Sequence, residues 1–142
     1  MSKNTREAIK KIREAAKKEY VYTMDDICFE TLLLPKEIYH IFNYHENLKD
    51  DVETILRRRR IREIPRREKQ LRTNDQIATD NILIEEVAAT SLTTLGISQK
   101  LGITQNTIMT NFRLDPEFKK KIQQILNDNL EMIKKYRTTN SI

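Results

Sequence analysis

The 142-residue chain has no tryptophan, one cysteine, two glycines and three prolines, and each shortage removes a class of explanation. A single thiol, Cys28, can neither form a disulfide within the chain nor hold zinc with other cysteines, so a reducing, cytoplasmic setting is expected. Two glycines, Gly96 and Gly102, are too few for a phosphate-cradling loop. No run approaches the roughly 18 apolar residues needed to cross a bilayer, and the amino-terminal segment lacks an apolar signal-like stretch. Neither secretion nor membrane insertion is expected. His40 and His45 are five positions apart, off the i, i+3 or i, i+4 spacing that sets ligands on one helix face. No metal or cofactor is expected. Carboxylate pairs such as Asp25–Asp26 and Glu85–Glu86 are adjacent rather than facing, and no nucleophile stands beside a base, so catalysis is not expected either.

What is present is helix-forming residues and charge. Charged residues make up 33% of the chain, and Lys, Glu, Arg, Ile and Leu dominate, which is the composition of an all-α protein. The net charge of +5 is unevenly spread: 1–20, 57–72 and 119–137 are basic, while 25–30 and 75–86 are acidic. Such blocks predict a basic face for a polyanion.

Hydrophobic periodicity predicts a first helix over 4–20, capped at Asn4 or Thr5, with Ala8, Ile9, Ile12, Ala15 and Ala16 on one face. Further helices are predicted over 24–31, 35–42 and 48–63, and Pro65 then interrupts. Asn74 and Asp75 open a helix to about 91 carrying Ile77, Ile82, Val87 and Ala88, and short helices over 94–101 and 105–112 follow. Pro116 suits the first turn of a last helix with Phe118, Ile122, Ile125, Leu126, Leu130 and Ile133 on a stripe. Residues 138–142 have no periodicity and are expected to be disordered.

Sliding the chain over itself by 70 positions, without gaps, superposes Asn4 on Asn74, Ala8 on Ala78, Ile12 on Ile82, Thr23 on Thr93, Ile27 on Ile97, Ile38 on Ile108 and Phe42 on Phe112. Most remaining apolar positions exchange for apolar ones, as Leu48 does for Phe118 and Val52 for Ile122. The expected organisation is therefore two tandem units of about four helices: 1–64, with a basic linker over 57–72, and 73–137.

The second unit contains "GISQKLGITQNTIMTNF", Gly96 to Phe112. A helix-turn-helix needs two short helices and a tight turn that favours a left-handed residue, and Gly102 supplies it. Ile97, Leu101, Ile103, Ile108 and Phe112 are expected to face the core, and Thr104 to cap the second helix. Gln105, Asn106, Met109, Thr110 and Arg113 then point outward.

In these residues the segment resembles the helix-turn-helix headpiece of the lac repressor class and its lambda-repressor-like relatives. The resemblance implies that the helix over 104–113 lies in the major groove of double-stranded DNA. Gln105, Asn106 and Thr110 would read bases, and Thr104, Thr107 and Arg113 would contact phosphate. The helices over 4–20 and 74–91 have no counterpart in that headpiece.

The first unit, "TMDDICFETLLLPKEIYHIFN", follows the same outline with two departures. Leu32 replaces the turn glycine, which predicts a rebuilt turn, and Leu34 replaces the capping hydroxyl. Between 23 and 44, Asp25, Asp26, Glu30, Lys36 and Glu37 sum to −3, against +2 for Lys100 and Arg113 between 93 and 114. Phosphate contacts supply most of the affinity in such complexes, so the first unit is expected to be the weaker reader, with a scaffold, homodimer or partner-binding role. Lys36, Tyr39, His40 and Asn43 remain its outward residues. Arg57 to Arg72 carries nine basic residues and two acidic ones, and Arg57, Arg58, Arg59, Arg60, Arg62, Arg66 and Arg67 are expected at phosphates or in the minor groove.

The expected function is sequence-specific double-stranded DNA binding by a transcriptional regulator of bacterial, phage or mobile-element origin, without a small-molecule effector. Two alternatives are an assembly protein such as a small terminase subunit and a protein-interaction module with a degenerate helix-turn-helix.

Overall fold

The computed structural model describes residues 3–65 and 73–140, with side chains as far as Arg137, and every regular element among them is a helix. In chain order these are α1 (Lys3–Ala16), α2 (Met24–Thr31), α3 (Pro35–Tyr44), α4 (Glu46–Glu63), α5 (Asn74–Ala88), α6 (Thr94–Leu101), α7 (Gln105–Leu114) and α8 (Pro116–Asn140).

The short helices start where side chains satisfy their first free amides. Thr23 caps α2 in a reciprocal pair with Asp26: the Asp26 amide donates to Thr23 Oγ1 at 3.2 Å and the Thr23 amide to Asp26 Oδ2 at 3.2 Å. Thr93 caps α6 by accepting from the Gly96 amide at 3.0 Å, and Thr104 caps α7 by accepting from the Thr107 amide at 3.2 Å. Leu34 has no such oxygen. Its amide instead donates to Glu37 Oε1 at 3.0 Å, and Pro35 begins α3, where a missing donor costs little.

The turn between α6 and α7 passes through Gly102 at φ 69°, and that between α2 and α3 through Leu32 at φ 57°. The rebuilt turn expected without glycine is not found: Leu32 adopts the left-handed conformation itself. Gly102 is more constrained, since a Cβ there would also lie 2.6 Å from the Pro65 carbonyl oxygen. Gly102→Ala is expected to lower unfolding free energy by about 2 kcal/mol, read by urea denaturation. A loss below about 0.5 kcal/mol would show that this turn can relax.

Two cores organise the helices. One gathers Ile12, Ala16, Val21, Ile27, Ile38 and Phe42 with Leu48, Val52 and Leu56, and the other Ile84, Ala88, Ile97, Ile108, Phe112 and Ile122. The first also takes Leu92, Leu130 and Ile133, so α8 is anchored in both.

From α2 onward the two halves of the chain correspond at a shift of 70: α2 and α6, and α3 and α7, share both boundaries, and α4 and α8 share their start. The fourth helices repeat a further detail. Arg59 donates to the Val21 carbonyl, and Asn129, 70 positions on, donates to the Ser91 carbonyl at 2.9 Å. The first helices break the correspondence. Ile12 is fully buried but Ile82 is 61% exposed, and Ile84 and Ala88 take the core places that Ile12 and Ala16 hold. A shorter connection between α5 and α6 than between α1 and α2 accounts for this offset.

Several boundaries differ from the sequence expectation: α1 ends at Ala16 rather than at 20, and α5 at Ala88 rather than at about 91. Asn4 and Thr5 lie inside α1 rather than capping it, and α8 continues to Asn140, into the segment expected to be disordered. α4 ends at Glu63 as the periodicity predicts, so the first residues of the basic stretch 57–72 are helix, and Leu56 and Arg59 continue the buried stripe of Leu48 and Val52. Among the described residues no helix is long and apolar enough to cross a membrane.

Candidate nucleic-acid interface

Ile108 and Phe112 are buried and fix the rotation of α7, with Phe112 lying against Phe118 of α8 at 5.9 Å between ring centroids. The opposite side of the helix carries Gln105, Asn106 and Arg113, all exposed, with the half-buried Thr110 between them. Asn106 makes no side-chain hydrogen bond among the described residues, so both its amide donor and its acceptor face outward. Gln105 Oε1 accepts a long bond, 3.3 Å, from Thr94 Oγ1, which leaves its amide NH2 available.

The hydroxyl groups have local partners. Thr110 Oγ1 donates to the Asn106 carbonyl at 2.8 Å and accepts from Arg113 at 3.2 Å, so both side chains lie along the helix. Thr104 and Thr107 face one another at 3.0 Å across the cap. Thr104 and Thr107 thus stand on either side of Gln105 and Asn106 at the start of α7. Met109 is 41% exposed on the same side, presenting a thioether between polar neighbours. Behind the helix, the Asn111 amide NH2 donates to Asn81 Oδ1 at 2.9 Å, tying α7 to α5.

The arginine run divides by its helical positions. Arg59 points inward, is buried and donates to the Val21 carbonyl; Arg60 is half-buried and donates to the Tyr22 carbonyl at 2.7 Å. Arg59 therefore leaves the expected phosphate set, because its guanidinium closes the loop between α1 and α2. Arg57 and Arg58 are exposed and make no hydrogen bond or ion pair among the described residues, and Arg62 lies 3.6 Å from Glu63. Arg57 and Arg60 also line a cleft of about 460 Å³ against Ser98, Gln99, Gly102 and Ile103, which sets the basic end of α4 beside α6 and the turn into α7. Arg66 and Arg67 lie outside the described residues. Arg59→Ala is expected to cost about 2 kcal/mol of stability and Arg58→Ala less than about 0.5, read by thermal or urea unfolding. Equal effects would contradict the division.

On α3, Lys36, Tyr39, His40 and Asn43 are exposed, and His40 packs edge-on against Tyr44 at 5.1 Å. The four acidic residues between 23 and 44 have partners, while Glu46 lines a cleft with Asn43 and Glu53 one with Tyr39. Asp25 is buried and accepts from the Leu92 and Thr93 amides, each at 2.9 Å, and from Thr93 Oγ1 at 3.0 Å. Burial pushes its carboxyl above the usual aspartate range, opposed by those donors and by the nearby Lys100. Asp26 pairs with Lys100 at 2.7 Å and Glu30 with Lys18 at 2.7 Å. Both oxygens of Glu37 accept from Arg137, which holds its carboxyl below the usual range. Sequence reasoning missed these pairings because most join residues far apart in the chain.

Cys28 is buried, and burial pushes its thiol up to about 12, which removes it as a nucleophile at neutral pH. Among the described residues no group of three or more His, Cys, Asp or Glu is placed to hold a metal ion. Compared with protein-family models, curated protein sequences and solved structures, the chain matches none.

Proposed function

We propose that this protein is a sequence-specific double-stranded DNA-binding protein, acting as a transcriptional regulator of bacterial, phage or mobile-element origin. Its α2–α4 and α6–α8 segments are two copies of one helix-turn-helix unit, and α7 is a reading helix that enters the major groove. The observation that carries this reading is the outward edge at the start of α7: two adjacent exposed amides, Gln105 and Asn106, on a helix whose other side is locked by Ile108 and Phe112. An amide side chain can bond adenine through two hydrogen bonds, and such groups are most useful on a helix that cannot rotate. Thr110, one turn on, joins them as a base contact, Thr104, Thr107 and Arg113 flank them as phosphate contacts, and Arg57, Arg58 and Arg62 supply charge from α4.

The test is a fluorescence anisotropy titration of a labelled duplex over a series of salt concentrations. Affinity is expected to fall steadily as salt rises, since each neutralised phosphate releases counterions. Replacing Arg57 and Arg58 together with alanine is expected to weaken binding to every duplex alike and flatten the log–log salt slope by about one to two. Salt-independent retention, or none, would remove the proposal.

A further inference from the structure

We infer that one chain reads two half-sites of duplex DNA, α3 engaging one and α7 the other, without a second copy of the protein. The inference rests on the DNA-reading proposal above and extends it to the first unit.

The objection to α3 is its acidic surroundings, and the side-chain contacts answer it. Of the four carboxylates between residues 23 and 44, Asp25 is buried on two amides, Asp26 is on Lys100, Glu30 on Lys18 and Glu37 on Arg137. None faces an approaching phosphate unpartnered. The outward row of α3 is then Lys36, Tyr39, His40 and Asn43: a cation, two aromatic groups with polar tips, and an amide. They stand 70 positions before Asn106, Met109, Thr110 and Arg113 of α7, respectively, on a helix with matching boundaries and after a turn with a left-handed residue at the matching position. This is the chemistry of a groove-reading edge, with a phosphate-binding cation at its start.

The same contacts join the two readers. Asp25 to Leu92 and Thr93, Asp26 to Lys100 and Glu37 to Arg137 all run from the first unit to the second, and Leu130 and Ile133 of α8 sit in the first unit's core. A junction made of buried hydrogen bonds, ion pairs and apolar packing holds α3 and α7 at one separation. A single chain thus carries both readers, and its site is two half-sites at one fixed spacing.

The experiment uses the full chain and a duplex enriched from random sequence by that chain. Hydroxyl-radical footprinting, with native mass spectrometry for stoichiometry, is expected to give two protected half-sites under one chain. Lys36→Ala with His40→Ala should erase protection of one half-site, and Gln105→Ala with Asn106→Ala that of the other. All four side chains lie on the surface, and circular dichroism confirms that the variants fold. Inserting about five base pairs, half a helical turn, between the half-sites should lower affinity at least about tenfold. One half-site, unaffected by the α3 changes, would overturn the inference and leave α7 as sole reader. Two chains on the two half-sites would overturn it equally, as would affinity indifferent to the insertion. Failure to retain any duplex would overturn both this inference and the reading beneath it.

Discussion

Gly96→Ala is expected to destabilise the protein by about 2–3 kcal/mol, and to do so only while Asp25 is present. A Cβ at position 96 would lie 2.0 Å from Asp25 Oδ2 and 2.7 Å from Cγ, inside any contact distance. An aspartate can ordinarily swing aside. This one is held by the Leu92 and Thr93 amides and the Thr93 hydroxyl, so moving it leaves three donors at the start of α6 without their acceptor. Asp25→Ala removes that acceptor outright and is expected to cost about 3 kcal/mol, most of it desolvated amides left unpaired. The two losses share one cause. In the double variant the alanine at 96 meets no carboxylate, so the combined cost should fall short of the sum by at least about 1.5 kcal/mol. Urea unfolding of the four proteins measures the cycle, and strict additivity would show that Gly96 is needed for some other reason.

On duplex DNA the larger expected effect is from α7. Gln105→Ala or Asn106→Ala should lose about 1–3 kcal/mol of discrimination at one base pair while leaving affinity for unrelated duplexes nearly unchanged. Both side chains are exposed, and Asn106 carries no internal hydrogen bond among the described residues, so neither change has an evident folding cost. The contrast with Arg57 and Arg58 is the useful part, because phosphate contacts weaken all sequences together. Competition between the preferred duplex and single-base variants reads the effect directly. Equal weakening on every duplex by Gln105→Ala would move that residue to the backbone-contact set.

Local signals in the sequence were reliable guides to local structure. Gly102 and Thr104 marked a turn and a cap, and α6 spans Thr94–Leu101 as the periodicity predicts. Apolar spacing likewise identified Ile97, Ile108 and Phe112 as core. What escaped was set by contacts distant in the chain. Counting charge over 23–44 treated four carboxylates as solvent-facing, whereas three of them are satisfied from residues 92–137, out of reach of any local window. The arginine run misled for a different reason. Four consecutive residues point all around a helix, so one of them, Arg59, had to meet the core, and it carries its charge to the Val21 carbonyl. The gapless superposition failed at α1 and α5 because the loops after them differ in length, which moves the buried stripe while leaving composition alike. Leu32 shows that a left-handed turn need not have glycine when packing on both sides determines the chain path; the strain is of order 1–2 kcal/mol.

Hydrogen bonds and ion pairs of Asp25, Lys100 and Arg137 join the two halves, and the exposed edge of α7 is the proposed reading surface. The most direct measurement is selection from a pool of random duplexes by the full chain, followed by sequencing. The account predicts strong enrichment of a defined sequence, with one position whose preference is lost when Asn106 is alanine. A pool that emerges unenriched, with retention indifferent to salt, would contradict it.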